Sequence, residues 1–155
     1  MRQITYKLFK NGILYSIVVF ILCFNPALVA QEQSVQPGIN DHYQNPDFKV
    51  WQRRFASPGR EVFDMVDVIV DALQLKACMQ VADIGAGTGL FSRHFARQVG
   101  NHGKVYAIDI SKEFIRNIVK HAKQTGIKNI TGIVNTDKDI KLATNTIDLA
   151  FVCDT

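Results

Sequence analysis

Val81-Ala-Asp-Ile-Gly-Ala-Gly-Thr-Gly89 decides the fold of this 155-residue chain. A short apolar strand runs into an acidic residue and three alternating glycines, and an amphipathic pattern follows from about Gly89 to Val99. Gly85, Gly87 and Gly89 remove side chains where the backbone must turn sharply and a ligand must lie close to it. Lys104-Val-Tyr-Ala-Ile-Asp109 reads as a second apolar strand. Its closing carboxylate, Asp109, stands where both hydroxyls of a bound ribose can be held. The combination predicts an α/β domain that takes a nucleoside-bearing cofactor.

The glycine spacing narrows the choice of cofactor. A dinucleotide fingerprint reads G-x-G-x-x-G and aims its turn at a pyrophosphate. Here the third glycine comes one position early, and Leu90 stands where that pattern wants its last glycine. Asp83, in the strand beneath the turn, repels a pyrophosphate but suits a ligand with ammonium and sulfonium charges. S-adenosylmethionine carries both charges and an adenosine, with no phosphate.

These residues resemble a family. Val81 to Gly89 looks like motif I of the class I S-adenosylmethionine-dependent methyltransferases, and Ala107-Ile-Asp-Ile-Ser111 looks like their second motif. Ile147-Asp-Leu-Ala-Phe-Val-Cys-Asp154 resembles their fourth strand with its terminal acid. Thr136-Asp137 is similar to the acidic position near the adenine amine, departing from the commoner Gly-Asp-Ala form. The resemblance runs from about Trp51 to the last residue. It implies S-adenosyl-L-methionine as cofactor and in-line transfer of its methyl group to a nucleophilic acceptor that the sequence does not reveal. It places Asp83 near the methionine end, Gly85, Ala86, Gly87 and Gly89 along the ligand, and Asp109 on the ribose. It sets Ile110 on the adenine face, Asp137 on the adenine amine, and Asp154 beside the methyl-donor region. No residue is assigned as catalytic base. Trp51, Phe55 and Gly59-Arg-Glu-Val-Phe63 resemble a leading segment that caps the cleft.

The remaining pattern is that of a Rossmann-like, doubly wound parallel sheet. Val62, Val66, Ile69, Val70 and Leu73 predict one amphipathic helix over 61–75, with Asp64, Asp67 and Asp71 on its solvated face. Leu90, Phe91, Phe95 and Val99 form the buried stripe of the helix after the glycine turn. Ser111 is a natural N-cap for a third helix, buried through Phe114, Ile115, Ile118, Val119 and Ala122 and stopped by Gly126. Strands are expected over 130–135 and 147–153, joined by a link with room for only a turn or two. Alternating strands and helices imply right-handed parallel crossovers, and the resemblance implies the order 3-2-1-4. His42, His94, His102 and His121 lack metal-ligand spacing.

The first thirty residues read differently. Arg2, Lys7 and Lys10 precede an apolar run over 13–24 broken only by Ser16, Asn25-Pro26 follows, and Ala30 offers a small residue before Gln31. This is the layout of a secretory signal peptide, and an uncleaved N-terminal anchor is the alternative. The expected organisation is 1–30 signal or anchor, engaging membrane or export machinery; 31–57 a polar lead-in, flexible over 31–45; and 58–155 a partial methyltransferase domain. Either reading of the first segment places the domain outside the cytosol, periplasmic or secreted. Of 18 Lys and Arg against 14 Asp and Glu, three basic residues leave with that segment, so 15 face 14. Arg53-Arg54 is a lone basic pair, and no basic stripe points to nucleic acid. Cys78 precedes the first strand and Cys153 ends the fourth, opposite ends of strands about five residues long at roughly 3.3 Å each. That exceeds the ~7 Å Cα span of a disulfide, so both read as buried thiols.

The family fold has seven strands in the order 3-2-1-4-5-7-6. The chain ends at Thr155, so it is read as the cofactor-binding half, a fragment or truncated form whose own catalytic capacity is doubtful. Its fourth strand is then an exposed apolar edge. A non-catalytic exported module that kept the nucleoside cleft is the second reading. A nicotinamide-dependent oxidoreductase is disfavoured by the glycine spacing and by Asp83.

Overall fold

The computed structural model describes residues 38, 39 and 41–154. The signal or anchor assignment of 1–30 lies outside the described residues. Among those described, no helix is long and apolar enough to cross a membrane.

Four parallel strands form the frame: β1 Gln80–Ile84, β2 Lys104–Asp109, β3 Ile130–Val134 and β4 Leu149–Val152. Their order is β3-β2-β1-β4, as the resemblance implied. Register pairs Asp83 with Ala107 and with Phe151, and Asp109 with Val134. The two central strands are covered on both faces, which is why their sequences read as continuous apolar runs rather than alternating ones. Val81, Ala82, Val105, Ala107 and Ile108 are all fully buried. The outer strands are less so, and Val152 on β4 is 59% exposed.

Helices α1 Asp41–Gln44, α2 Phe48–Phe55, α3 Glu61–Asp64, α4 Val66–Ala72, α5 Leu90–Val99 and α6 Lys112–Gln124 complete the domain. α5 meets the face that carries Val81 and Val105 through Phe91, Phe95, Ala96 and Val99, and α4 packs behind it through Val70. α6 sits beside it on Ala107 through Ile115 and Ile118. The opposite face, with Ala82, Tyr106 and Ile108, is met by Leu142 and Ile147 of the β3–β4 link. That link contains no helix. Ser111 caps α6 through its hydroxyl, which accepts from the Phe114 amide.

Several local expectations change. The single helix expected over 61–75 is two helices, interrupted at Met65 (φ −101°, ψ 13°). The lead-in at 31–57 carries two helices among its described residues, α1 and α2, and Phe48, Trp51 and Phe55 of α2 gain ring contacts. Phe48 meets Phe114 at 6.3 Å between centroids, and Trp51 meets Phe55 at 5.2 Å. Asp47 caps α2 by accepting from the Lys49 and Val50 amides. Val119 lies at the flank of α6 and is 43% exposed, whereas Ile115 and Ile118 face the sheet. Cys78 is exposed in the turn before β1 and Cys153 is half-buried, with no bridge between them. The expected burial of Cys78 fails because that turn lies outside the sheet's covered faces.

Candidate cofactor site

Because all four strands are parallel, their carboxyl ends share one edge, and the crevice at such an edge is where open α/β sheets bind ligands. Asp83 and the glycine turn follow from β1, Asp109 and Ile110 from β2, Asp137 from β3 and Asp154 from β4. Topology therefore brings every sequence-predicted site residue to the same edge, but their surroundings differ sharply.

Asp83 is 3% exposed. Its carboxylate accepts a hydrogen bond from the Ser92 hydroxyl of α5. Burial pushes its pKa up to about 6, against the pull of the Ser92 hydroxyl and amide toward the anion. Asp109 is also buried, and each of its oxygens accepts from a backbone amide: Gly87 and Ser111, both at 2.8 Å. Burial raises its pKa too, with those two amides opposing the rise.

The glycine turn is stitched to β2. The amides of Gly85 and Ala86 both donate to the Ile108 carbonyl, at 2.8 and 2.9 Å. With the Gly87 amide on Asp109, the turn's donors at 85–87 are spent inside the protein. A pyrophosphate, which can only accept, would find none of them available. Gly87 (φ +53°) could carry a Cβ only at 3.1 Å from Cε2 of Phe55, and a Cβ on Gly89 (φ +77°) would stand 2.7 Å from Ile118. Both positions need a left-handed backbone and close packing, which only glycine supplies without strain. The backbone contact expected from Gly85, Ala86 and Gly87 must therefore come from groups other than these three amides.

Asp137 is exposed in the turn after β3, where Thr136 Oγ1 accepts from the Lys138 and Asp139 amides. Two residues earlier, the Asn135 amide donates to the Asp109 carbonyl, and Asn135 Oδ1 is buried without a hydrogen-bond partner. Through that amide, Asn135 stands beside Asp109 at the end of the sheet. Asp154 is exposed and ion-paired with Arg60. Ile110 is half-buried. Phe55 lies over the glycine turn, with the Arg60 guanidinium 5.1 Å from its ring centroid.

Sequence reasoning missed Ser92, Arg60 as the partner of Asp154, and Asn135. Ser92 left one signal: a small polar residue on an otherwise apolar helix face. Arg60 and Asn135 left none, since their roles depend on contacts distant in the chain. Two buried carboxylates and an orphaned amide oxygen supply the site with acceptors. They fit a donor-rich ligand with an ammonium, ribose hydroxyls and an adenine amine.

The family described as "Methyltransferase domain" matches residues 81–155. Protein-L-isoaspartate O-methyltransferase of Thermosipho melanesiensis is 33% identical over 75 residues, covering 48% of this chain and 38% of that protein. Ribosomal RNA large subunit methyltransferase E of Stenotrophomonas maltophilia is 29% identical over 83 residues, covering 54% and 39% respectively. A solved S-adenosylmethionine-dependent methyltransferase from Aquifex aeolicus is similar at 31% identity with a TM-score of 0.58, over 68% of this chain and 55% of that one. The matched stretch spans well under half the length of these curated relatives. The order of the parallel sheet agrees with these matches: residues 81–155 match a methyltransferase domain and are similar to the class I methyltransferases whose cofactor is S-adenosyl-L-methionine.

Proposed function

We propose that the carboxyl edge of this sheet binds S-adenosyl-L-methionine, and that the protein of which this domain is part transfers the cofactor's methyl group to an acceptor. The observation that carries the reading is that Asp83 and Asp109 are buried carboxylate acceptors at this edge, while the turn's amides at 85–87 are already spent. When bound, the cofactor supplies an electrophilic methyl on a sulfonium, so the protein's work is alignment and electrostatics. Asp83 takes the ammonium end, Asp109 uses its remaining acceptor capacity on the ribose, and Ile110 packs on the adenine. Asn135 Oδ1 or Asp137 accepts from the adenine amine. Phe55 covers the turn and limits water at the reacting centre.

Calorimetry of the folded chain against S-adenosylmethionine, S-adenosylhomocysteine and NAD tests this. Binding of the first two without the third is the expected result. Binding of NAD in preference to both would overturn it.

The first thirty residues support a proposal about location as well. Their basic flank, apolar run and small residue at Ala30 favour export of the domain, with Gln31 as its first residue. N-terminal sequencing of the protein expressed with its own first segment checks this. An intact Met1 on soluble cytosolic protein would overturn it.

A further inference from the structure

α5 turns Phe91, Ser92, Phe95, Ala96 and Val99 inward. Ser92 is the hydroxyl among these apolar side chains, and it has no exposed surface. Alanine at this position would favour the helix more and bury no polar group, and Ala96 one turn later shows that this face accepts it. The serine hydroxyl instead donates to Asp83 Oδ2, nine residues back in the chain and on the central strand.

Asp83 has other charged or titratable neighbours. Arg93 of α5 favours its anion and Asp109 at the end of β2 opposes it, while Cys153 beyond β4 is itself pushed upward by burial, then by Asp154 and less by Asp83, with Arg60 opposing. Arg93 directs Nη1 to the Thr88 carbonyl at 2.9 Å. The direct side-chain donor to the carboxylate is Ser92.

We propose that Ser92 is a positioning residue for cofactor binding: its hydroxyl orients Asp83 beneath the glycine turn and holds it as the anion that receives the ligand's ammonium. This rests on the S-adenosylmethionine reading above. A carboxyl buried this deeply favours its neutral form, and a neutral Asp83 offers no charge to an ammonium. Burial drives Asp83 in that direction, with Asp109 adding to it, and the hydroxyl opposes the rise. Removing the hydroxyl should therefore shift the pH range over which the site binds, rather than weaken binding equally at every pH.

The test has two readouts on the full chain. The first is the titration of the Asp83 side-chain carboxyl by carbon-detected NMR without ligand, in the wild type, Ser92→Ala and Ser92→Thr. The second is calorimetry with S-adenosylmethionine from pH 5 to pH 8.5. The Ser92→Ala midpoint should rise by about one pH unit, the worth of a hydrogen bond to a charged group. Its affinity should fall about fivefold at pH 6 and about ninefold at pH 5, and approach the wild type's at pH 8.5. Ser92→Thr, which keeps the hydroxyl, should restore the wild-type midpoint. An unmoved midpoint in Ser92→Ala, or a loss of affinity equal at every pH, would overturn the positioning role while leaving the cofactor reading intact. A moved midpoint in a protein that binds no S-adenosylmethionine at any pH would overturn the cofactor reading, and the positioning role with it.

Discussion

Arg60 and Asp154, 94 positions apart in the chain, meet as an ion pair at the carboxyl edge of the sheet. The same guanidinium lies over the Phe55 ring, and that ring lies against Gly87. One side chain therefore ties the segment after α2 both to the end of β4 and to the cover of the glycine turn. Asp154 adopts a left-handed backbone (φ +56°), unusual for a residue other than glycine.

Arg60→Ala should loosen that cover without unfolding the domain. The Asp154 side chain is 59% exposed, so solvent screens the pair and it contributes about 0–1 kcal/mol. The stacking on Phe55 adds about 0.5–1 kcal/mol. Hydrogen exchange should speed up at the Ala56 and Arg60 amides while the β1 and β2 amides keep their protection. Unchanged exchange at both positions would mean that α2 is held by its aromatic contacts alone.

Gly87→Val should abolish S-adenosylmethionine binding and leave most of the fold. The new Cβ would meet Phe55 at 3.1 Å, and a β-branched residue resists φ +53°. The strain is about 1–3 kcal/mol, below the stability of most domains. Circular dichroism and calorimetry together check this. A folded variant with normal affinity would place the cleft elsewhere.

Asp109→Ala should weaken S-adenosylmethionine by about 1.5–3 kcal/mol, the worth of hydrogen bonds to a charged group. It also strands the Gly87 and Ser111 amides that the carboxylate now accepts, so thermal stability should fall as well. Stability lost with affinity unchanged would confine Asp109 to a structural role and sink its assignment to the ribose.

Asp83 makes stability depend on pH in an identifiable direction. Its folded pKa, about 6, lies above the ordinary 3.8. Between those values the folded protein holds a proton that the unfolded chain has released. Its stabilising contribution is therefore complete below about pH 4 and is lost as pH rises through about 6, a change of about 3 kcal/mol. Burial raises Asp109 in the same direction. In urea titrations from pH 4 to pH 7, Asp83→Asn should gain on the wild type as pH rises across this window. A difference constant with pH would show that Asp83 is not held up by burial.

The strands, the glycine turn and the two strand-end carboxylates were legible in the sequence because each follows from a short-range rule. Apolar runs such as Val105 to Ile108 mark strands buried on both faces, and Ser111 before an amphipathic run marks a helix start. The break at Met65 was not legible, since the stripe from Val62 to Leu73 keeps helical spacing across it. Nor was the exposure of Cys78 and Val119, which depends on what packs around them.

The sequence by itself determined the class of fold and the acids at the carboxyl edge of the sheet. Only the tertiary structure decided the polarity of the site. Register between β1 and β2 sets the Ile108 carbonyl against the Gly85 and Ala86 amides. The docking of α5 brings Ser92 to Asp83, and α2 carries Phe55 onto Gly87. Each of these encounters joins residues far apart in the chain or on different elements. Local periodicity says which face a side chain takes, while its partner is set by how whole elements pack.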